Sequence, residues 1–116
     1  MELCMDCLFC KIIAGDIPSK KLYEDEKILA FYDIQPQAPV HFLVIPKEHI
    51  DGADCITEAN ADIVRYIFAK IPALAKEAGI CNGFRVVTNV LEDGGQSVRH
   101  LHFHVLGGGK LNVNFA

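Results

Sequence analysis

The sequence predicts an α+β fold in which a five-stranded, mostly antiparallel sheet is combined with one long helix and a short N-terminal helix. Five short segments rich in β-branched and aromatic residues, separated by turn-forming residues, predict the strands. One longer segment repeats its apolar residues at the three- and four-residue spacing of a helix. The helices and strands do not alternate along the chain, which favours an antiparallel sheet over a parallel one.

The first half of the chain predicts the short helix and three strands. The apolar spacing of residues 8–14 is helical, and Gly15 is a typical helix end. The strands are expected at 20–24, 27–33 and 41–46. The last of them, His-Phe-Leu-Val-Ile-Pro, is apolar enough for the centre of a sheet, and two prolines exclude regular structure over residues 34–39.

The second half predicts the long helix and two further strands, which are expected at 83–89 and 98–106. The helix is expected between Thr57, a residue type favoured at the N-cap, and Gly79, a typical helix end. Because Pro72 lies inside this segment, the sequence predicts a kink or a break near residues 70–71.

Length, charge and cysteine usage limit the class of protein. A chain of 116 residues is typical of one domain, with residues 1–6 as a mobile arm and 110–116 as a C-terminal tail. A net charge of −4 argues against nucleic-acid binding as the main activity, and no apolar segment approaches the roughly 20 residues of a membrane span. Five cysteines without an export signal indicate thiols or metal ligands, so we expect a cytoplasmic protein.

Three of the five histidines alternate with large apolar residues over residues 100–106, His-Leu-His-Phe-His-Val-Leu. In a strand this pattern places three imidazoles on one face and apolar side chains on the other. Imidazole is a substantially neutral nucleophile at pH 7, and a partner on its second nitrogen fixes the tautomer. Gly94, Gly95 and Ser97 precede the segment, and such small residues let backbone N–H groups approach an anion. The pattern therefore predicts a metal-free site for phosphoryl or nucleotidyl transfer.

A zinc site is the main alternative for these histidines. His100 and His104 would lie roughly 13 Å apart along an extended strand, so one ion can hardly take all three imidazoles. At least one histidine is then left for other chemistry. A structural role in the core could account for one histidine, but not for three in alternation.

Cys4, Cys7 and Cys10 form two overlapping C-x-x-C pairs. Such a pair can hold one zinc ion, whose closed tetrahedral site needs two more ligands. A four-iron cluster is disfavoured because Ala14 stands where a fourth cysteine is needed, and a redox motif is disfavoured because no strand precedes the pair. The remaining cysteines have no partner at a metal-binding spacing and are expected to act as small hydrophobic residues: Cys55 and Cys81.

Two segments resemble signatures of the histidine triad (HIT) superfamily. Residues 96–108, Gln-Ser-Val-Arg-His-Leu-His-Phe-His-Val-Leu-Gly-Gly, are similar to the triad itself. Residues 33–47 are similar to the second block of its Hint branch, the nucleoside phosphoramidate hydrolases, and the resemblance extends over residues 8–109. It implies a single HIT domain over residues 1–116 that binds a purine nucleotide such as AMP or an adenosine phosphoramidate. A homodimer is implied as well, with no nucleic-acid or membrane partner.

The resemblance also implies roles for individual residues. His102 would attack the α-phosphorus to form a nucleotidyl-histidine, an amine would leave, and water would release the nucleoside monophosphate. Three further residues would assist catalysis: His41, His104 and Ser97. The nucleotide would be bound by residues around its ribose and phosphate: Asp33, Ile34, Asn89, Gly95, Gln96, Ser97, His102 and His104.

Many prokaryotic relatives pair a C-x-x-C with two histidines, which implies a structural zinc and no catalytic metal in this chain. The implied ligands are Cys7, Cys10, His49 and His100. Such a closed site has no position for an activated water. Arg99 departs from the family, in which an aromatic residue often precedes the triad. The alternatives are a dinucleoside polyphosphate hydrolase or nucleotidyl transferase of the same superfamily, and a non-catalytic nucleotide-binding adaptor.

Overall fold

The computed structural model describes residues 7–112. In chain order its elements are α1 (Leu8–Ala14), β1 (Lys21–Glu24), β2 (Ile28–Tyr32), β3 (Val40–Pro46), a 3-10 turn (Ala53–Cys55), α2 (Asp62–Glu77), β4 (Phe84–Val87) and β5 (Phe103–Gly107). Neighbouring strands are all antiparallel, in the order β1-β2-β3-β5-β4. The predicted α+β fold with a five-stranded antiparallel sheet is therefore confirmed. The expected arm at 1–6 and residues 113–116 of the expected tail lie outside the described residues.

Apolar side chains cover both faces of the sheet. On one face β2, β3 and β5 pack against α2, in a cluster that includes Ala30, Phe42, Phe103, Ile67 and Ile71. On the other face α1 packs against β2 and β3, in a cluster that includes Phe9, Ile12, Leu29, Phe31 and Leu43. Burial on both faces explains why β3 is apolar at almost every position. Among residues 7–112, neither helix is long and apolar enough to cross a membrane.

The helix α1 begins and ends where the sequence predicts. Cys7 is its N-cap, and the Sγ of Cys7 accepts a hydrogen bond from the backbone N–H of Cys10. Gly15 ends the helix in the left-handed region with φ +86°, and its N–H donates to the carbonyl of Ile12. The side chains of both cysteines are buried against the sheet.

The long helix α2 differs from the prediction at its start and at Pro72. Its N-cap is Ala61 rather than Thr57, because the hydroxyl of Thr57 accepts the N–H of Ala59 and holds a turn before the helix. Of the kink or break predicted near residues 70–71, the break does not occur, since the helix is continuous over Asp62–Glu77. Proline removes one N–H donor, and packing of the apolar face of α2 against the sheet outweighs that loss.

The strand that carries the histidines is shorter than the predicted segment 98–106. β5 begins only at Phe103, and β4 likewise ends before the predicted residue Asn89. The residues before Phe103 leave the ladder because the Leu101 N–H donates to the carbonyl of Ile50, at 2.6 Å, instead of to a strand. His100 and His102 therefore lie in an irregular segment that leads into β5.

Candidate functional site

The alternation of the histidine segment persists although its first residues are not in a strand. Leu101 and Phe103 belong to the apolar cluster under α2. The imidazoles of His100 and His102 lie on the opposite face, where their ring centroids are 5.9 and 5.0 Å from the ring of Phe9 in α1. The two faces are thus divided as the period-two pattern predicts.

His102 is held in one tautomer by its own chain. Its Nδ1 lies 2.7 Å from the carbonyl oxygen of His100, so Nδ1 carries the proton and donates to that oxygen. Nε2 is then left with a lone pair. Burial lowers the pKa of His102, and the hydrogen bond to His100 only partly offsets this effect. The hydroxyl of Thr88 donates to the carbonyl of His102 at 2.8 Å and fixes the backbone at this position. His102 is therefore a neutral imidazole with the electronic form of a nucleophile.

A hydrogen-bonded chain fixes the tautomers of His41 and His104. The backbone N–H of Gln37 donates to His41 Nδ1 at 3.1 Å, so His41 carries its proton on Nε2. That N–H faces His104 Nδ1 at 2.9 Å. His104 must accept at Nδ1 and carry its own proton on Nε2. Of the residues expected to assist catalysis, His41 and His104 therefore contact each other directly.

The pKa values of His41 and His104 are both lowered, which favours the neutral imidazoles. Burial is the main cause that lowers the pKa of His104 to about 4, and the neighbouring His102 and His41 contribute to the same shift. Burial also lowers the pKa of His41, and the carboxylate of Asp33, 3.5 Å from His41 Nε2, partly offsets this. The site therefore offers a lone pair at His102 and a proton at His104, on the same face of the chain.

A cavity of about 380 Å³ opens beside these two histidines. Its apolar wall comes from α1, the segment that follows it, and the sheet, and includes Phe9, Ile12, Ile17, Phe31 and Leu43. Its polar lining includes Asp33, Ser97, His102 and His104. Ile34, with 93% of its surface exposed, lies at the rim. An apolar cleft with a few convergent polar groups is the usual form of a small-molecule site.

Asn89 lines a different cavity, of about 370 Å³, which shares His104 with the first one. The other polar side chains of this second cavity include Gln37, His41 and Arg85. Asn89 and Ser97 were both expected around one phosphate. The structure instead places them in separate cavities, with His104 in common.

The glycine-rich turn before the histidines uses its polar groups internally. The N–H groups of Gly95 and Gln96 donate to the carbonyls of Glu92 and Leu91. A Cβ on Gly94 would lie 2.5 Å from the carbonyl oxygen of Val90, so glycine is needed there to close the turn. The N–H of Gly95, one of the small residues expected to let an anion approach, is therefore already bonded, and so is the N–H of Gln96 that follows it.

The side chain of Gln96 is also occupied. Its Nε2 donates to the carbonyls of Asp51 and Val98, at 2.8 and 3.1 Å, and its Oε1 accepts the N–H of Leu91 and the guanidinium of Arg99. Both donors and both acceptor positions of the amide are used. Two of the residues expected at the phosphate therefore differ. Ser97 is exposed and lines the first cavity, whereas the amide of Gln96 is used in hydrogen bonds within the protein.

Cys7, Cys10, His49 and His100 converge on one point, and their ligand atoms lie within 4.8 Å of one another. The Sγ atoms of Cys7 and Cys10 lie 3.4 and 3.6 Å from His100 Nδ1, and Cys10 Sγ lies 3.3 Å from His49 Nδ1. The two Nδ1 atoms are 3.1 Å apart. Tetrahedral zinc with ordinary bond lengths would separate sulfur from nitrogen by about 3.5 Å and two nitrogens by about 3.3 Å. The four side chains fit a zinc ion.

The outer partners of the two histidines fix the same tautomer in both. His100 Nε2 donates to the carbonyl of Pro46, and His49 Nε2 donates to the carboxylate of Asp51, each at 2.8 Å. Both Nδ1 atoms are therefore free of protons and face the cysteines, as metal ligation requires. Burial lowers the pKa of His100 to about 4, which keeps this imidazole neutral.

A second group of metal-ligand type consists of Asp33, His41 and His104. The tautomers argue against a metal there, because the Nε2 of His41 carries a proton that points to His104.

The two cysteines that were expected to be small hydrophobic residues, Cys55 and Cys81, are exposed, so this expectation is wrong.

Several residues of the site have no sequence signal of their own. Phe9, Gln37, Asp51 and Thr88 contact the histidines or orient them, yet each is an ordinary residue type in its local sequence. Asp51 was the most accessible to sequence reasoning, because it follows His49 by two positions and carboxylates commonly orient metal-binding histidines.

Comparison with known proteins places the chain among HIT proteins. The HIT domain family matches residues 14–111. A histidine triad protein from Clostridium difficile is 51% identical, with a TM-score of 0.93 and full coverage of both chains. A HIT family hydrolase from Clostridium thermocellum is 44% identical, with a TM-score of 0.94 over 97% of this chain and 99% of the other. A 14 kDa zinc-binding protein of Zea mays is 46% identical over 107 residues, which is 90% of this chain and 84% of that protein.

Proposed function

This chain belongs to the HIT domain family, and from that premise we propose that it hydrolyses purine nucleoside phosphoramidates and releases a nucleoside monophosphate. The observation that carries the proposal is the opposite protonation of two neighbouring imidazoles. His102 presents a lone pair at Nε2 and His104 presents a proton at Nε2, and both line the same cavity. A nucleophile beside a proton donor is the arrangement that nucleotidyl transfer requires.

In the first step the lone pair of His102 Nε2 forms a bond to the α-phosphorus. The P–N bond of the substrate breaks, and its electron pair leaves with the amine nitrogen. A phosphoryl anion bound beside His104 raises the pKa of this histidine, so that the imidazolium supplies the proton that the amine takes up. His102 keeps its Nδ1 proton, whose hydrogen bond to the His100 carbonyl stabilises the positive charge on the nucleotidyl-imidazole.

In the second step water attacks the same phosphorus. It gives a proton to the neutral His104, and the electron pair of the P–Nε2 bond returns to His102. In the free protein, where both imidazoles are neutral, His41 orients His104, because its Nε2–H is held toward His104 Nδ1 by the backbone N–H of Gln37. Ser97 lines the cavity beside both histidines and donates its hydroxyl to the phosphoryl group.

The shape of the first cavity supports a purine nucleoside as the substrate. The rings of Phe9 and Phe31 and the side chain of Ile12 form an apolar wall for a planar base. Asp33 lines the same cavity, and its carboxylate accepts hydrogen bonds from the ribose hydroxyls. Ile34, exposed at the rim, covers the base when nucleotide binds.

Zinc belongs to the same proposal as a structural ion. Cys7 at the N-cap of α1, Cys10 within α1, and His49 and His100 in two loops would hold it, and it would fasten the helix to the sheet. The name of the maize relative supports this assignment, as do the separations of the ligand atoms. With four protein ligands the ion has no open position, and no step of the reaction needs it.

A dinucleoside polyphosphate is the second candidate substrate. It would form the same intermediate on His102, and its anionic leaving group would suit the second cavity, which Arg85 and His104 both line. Competition between an adenosine phosphoramidate and a diadenosine polyphosphate separates the two candidates. We expect the phosphoramidate to have the higher kcat/KM, and a higher value for the polyphosphate would reverse the assignment. Absence of turnover for both would favour a nucleotide-binding adaptor.

The family resemblance also supports a homodimer, which the solution mass measured by light scattering tests. Thiols that bind a metal must stay reduced, which supports a cytoplasmic location.

A further inference from the structure

Two irregular segments, residues 49–54 and 96–101, lie side by side next to the histidines. Two hydrogen bonds join them outside the sheet: Leu101 N–H donates to the carbonyl of Ile50 at 2.6 Å, and Gln96 Nε2 donates to the carbonyl of Asp51 at 2.8 Å. The first segment carries a metal-ligand histidine and the second carries another, together with Ser97. A single backbone hydrogen bond and a side chain, rather than a strand ladder, therefore hold this part of the site.

Arg99 adds a third connection between the same segments. Its Nη1 and Nη2 donate to the two carboxylate oxygens of Asp54, at 2.9 and 2.8 Å. Nη1 also donates to Gln96 Oε1 at 2.8 Å. Because that amide has no unused donor or acceptor, the guanidinium fixes which way the Gln96 side chain points. The three side chains form one connected polar contact, which we call the arginine clamp (Arg99, Asp54 and Gln96).

The chain makes room for this clamp at Gly52. A Cβ there would lie 2.5 Å from Arg99 Nη1 and 2.7 Å from Asp54 Oδ1, closer than side-chain contacts allow. The backbone of Gly52 is extended, with φ −177°, so its conformation does not itself require glycine. A side chain at this position would push the ends of Arg99 and Asp54 aside, so the absence of one at Gly52 lets the clamp form.

We infer that Arg99 is a positioning residue for the proposed hydrolase. The clamp holds residues 96–101, so that Ser97 and the His100 carbonyl keep their positions relative to the imidazole of His102. This inference rests on the proposed function. Arg99 does not line the cavity that contains His102, so it acts through the segment and not on the substrate. A half-exposed ion pair contributes little to global stability, whereas a small displacement of a group that orients a nucleophile slows the reaction strongly.

The test compares Arg99→Met, Asp54→Ala, the double variant and Gly52→Ala with wild type. The matched control is Arg65→Met, which removes a similar pair formed with Asp62 on α2, at 2.6 Å. We expect each clamp variant to lower kcat about tenfold with little change in KM, and the double variant to be no worse than either single one. Zinc content and Tm should stay close to wild type, and the control should keep full kcat.

Amide hydrogen exchange supplies a readout that does not depend on turnover. The N–H groups of Leu101 and Gln96 should exchange about tenfold faster in the clamp variants, while those of the sheet stay unchanged. Unchanged exchange over residues 91–101 would overturn the inference. So would faster exchange with an unchanged kcat, because the clamp would then be structural only. Failure of the wild-type protein to turn over any phosphoramidate removes the proposed function and the catalytic role of Arg99 with it, and the exchange data still decide whether the clamp orders the segment.

Discussion

At the scale of single residues, the function depends on which nitrogen of each imidazole carries the proton. Neighbouring backbone groups decide this: a carbonyl fixes His102, and an N–H fixes His41 and, through it, His104. The sequence predicted that the histidines share a face, because side-chain direction follows from spacing alone. It could not predict the tautomers, because these depend on Gln37 and on a carbonyl whose direction is set by the fold.

The lowered pKa of His104 makes a prediction about nucleotide binding. Its pKa is about 4 in the free protein, and the phosphate of bound AMP must raise it. Between these two values the complex holds more protons than the free protein, so affinity for AMP should increase as pH falls from 7 to 5. Calorimetric titration in buffers of different ionisation enthalpy measures the protons taken up.

His104→Asn is the control for this measurement, because the titration of AMP itself is the same in both proteins. The difference in proton uptake between wild type and variant should be positive at pH 6. An equal uptake in the two proteins would show that His104 does not take the proton.

At the scale of elements, α1 is the part whose position depends on the proposed zinc. The helix is seven residues long, too short to be stable alone, and its two cysteines face histidines from two separate loops. The sequence predicted the ends of α1 because Gly15 is a strong local signal. It failed at the start of α2 and of β5, where a side-chain turn and a long-range hydrogen bond replace the regular pattern.

Loss of zinc should loosen α1. Cys10→Ser should abolish stoichiometric zinc and lower Tm by more than about 10 °C, because binding free energy of a structural ion is folding free energy. Where the variant remains folded, kcat should be close to wild type. Metal analysis, thermal unfolding and steady-state kinetics measure the three quantities.

Cys81→Ser is the matched control, since Cys81 is exposed and lies outside the metal-ligand cluster. Full zinc content in Cys10→Ser would contradict the ligand assignment. A folded, zinc-free variant without turnover would contradict the separation of structural ion and catalytic histidines.

The carboxylate of Asp25, in the turn between β1 and β2, accepts a hydrogen bond from Tyr66 of α2. Burial raises the pKa of Asp25, but hydrogen bonds from Tyr66, from the backbone N–H groups of Lys27 and Ile28, and from Tyr23 outweigh this and lower it to about 2. Because the folded pKa lies below the unfolded one, this contribution to stability is present above pH 4 and is lost as pH falls toward 2.

Asp25→Asn should therefore reduce the free energy of unfolding by about 1 kcal/mol at pH 6, a figure reduced for the partial exposure of the group. The difference from wild type should shrink at pH 2.5. Urea unfolding at the two pH values measures it, with the exposed Asp16→Asn as the control. A difference that does not depend on pH would mean that packing, and not the charge, is responsible.

At the scale of the whole molecule, one face of the sheet forms the main apolar core and the opposite face carries the candidate site. α2 covers one face and packs against the larger apolar cluster, while α1, the metal-ligand cluster and the histidines share the other face. The sequence predicted this architecture because the apolar periods of five strands and two helices are strong and local. The division of Asn89 and Ser97 between two cavities could not be predicted, since it depends on where β4 ends relative to the irregular segment.

The covalent step on His102 is the central claim, and intact-protein mass spectrometry of an acid-quenched reaction tests it most directly. With an adenosine phosphoramidate in excess, the wild-type protein should gain the mass of one adenylyl group, and peptide mapping should place that group on His102. His102→Ala should show no adduct and no turnover while retaining its fold and zinc. An adduct that survives in His102→Ala, or one that maps to another residue, would contradict the account.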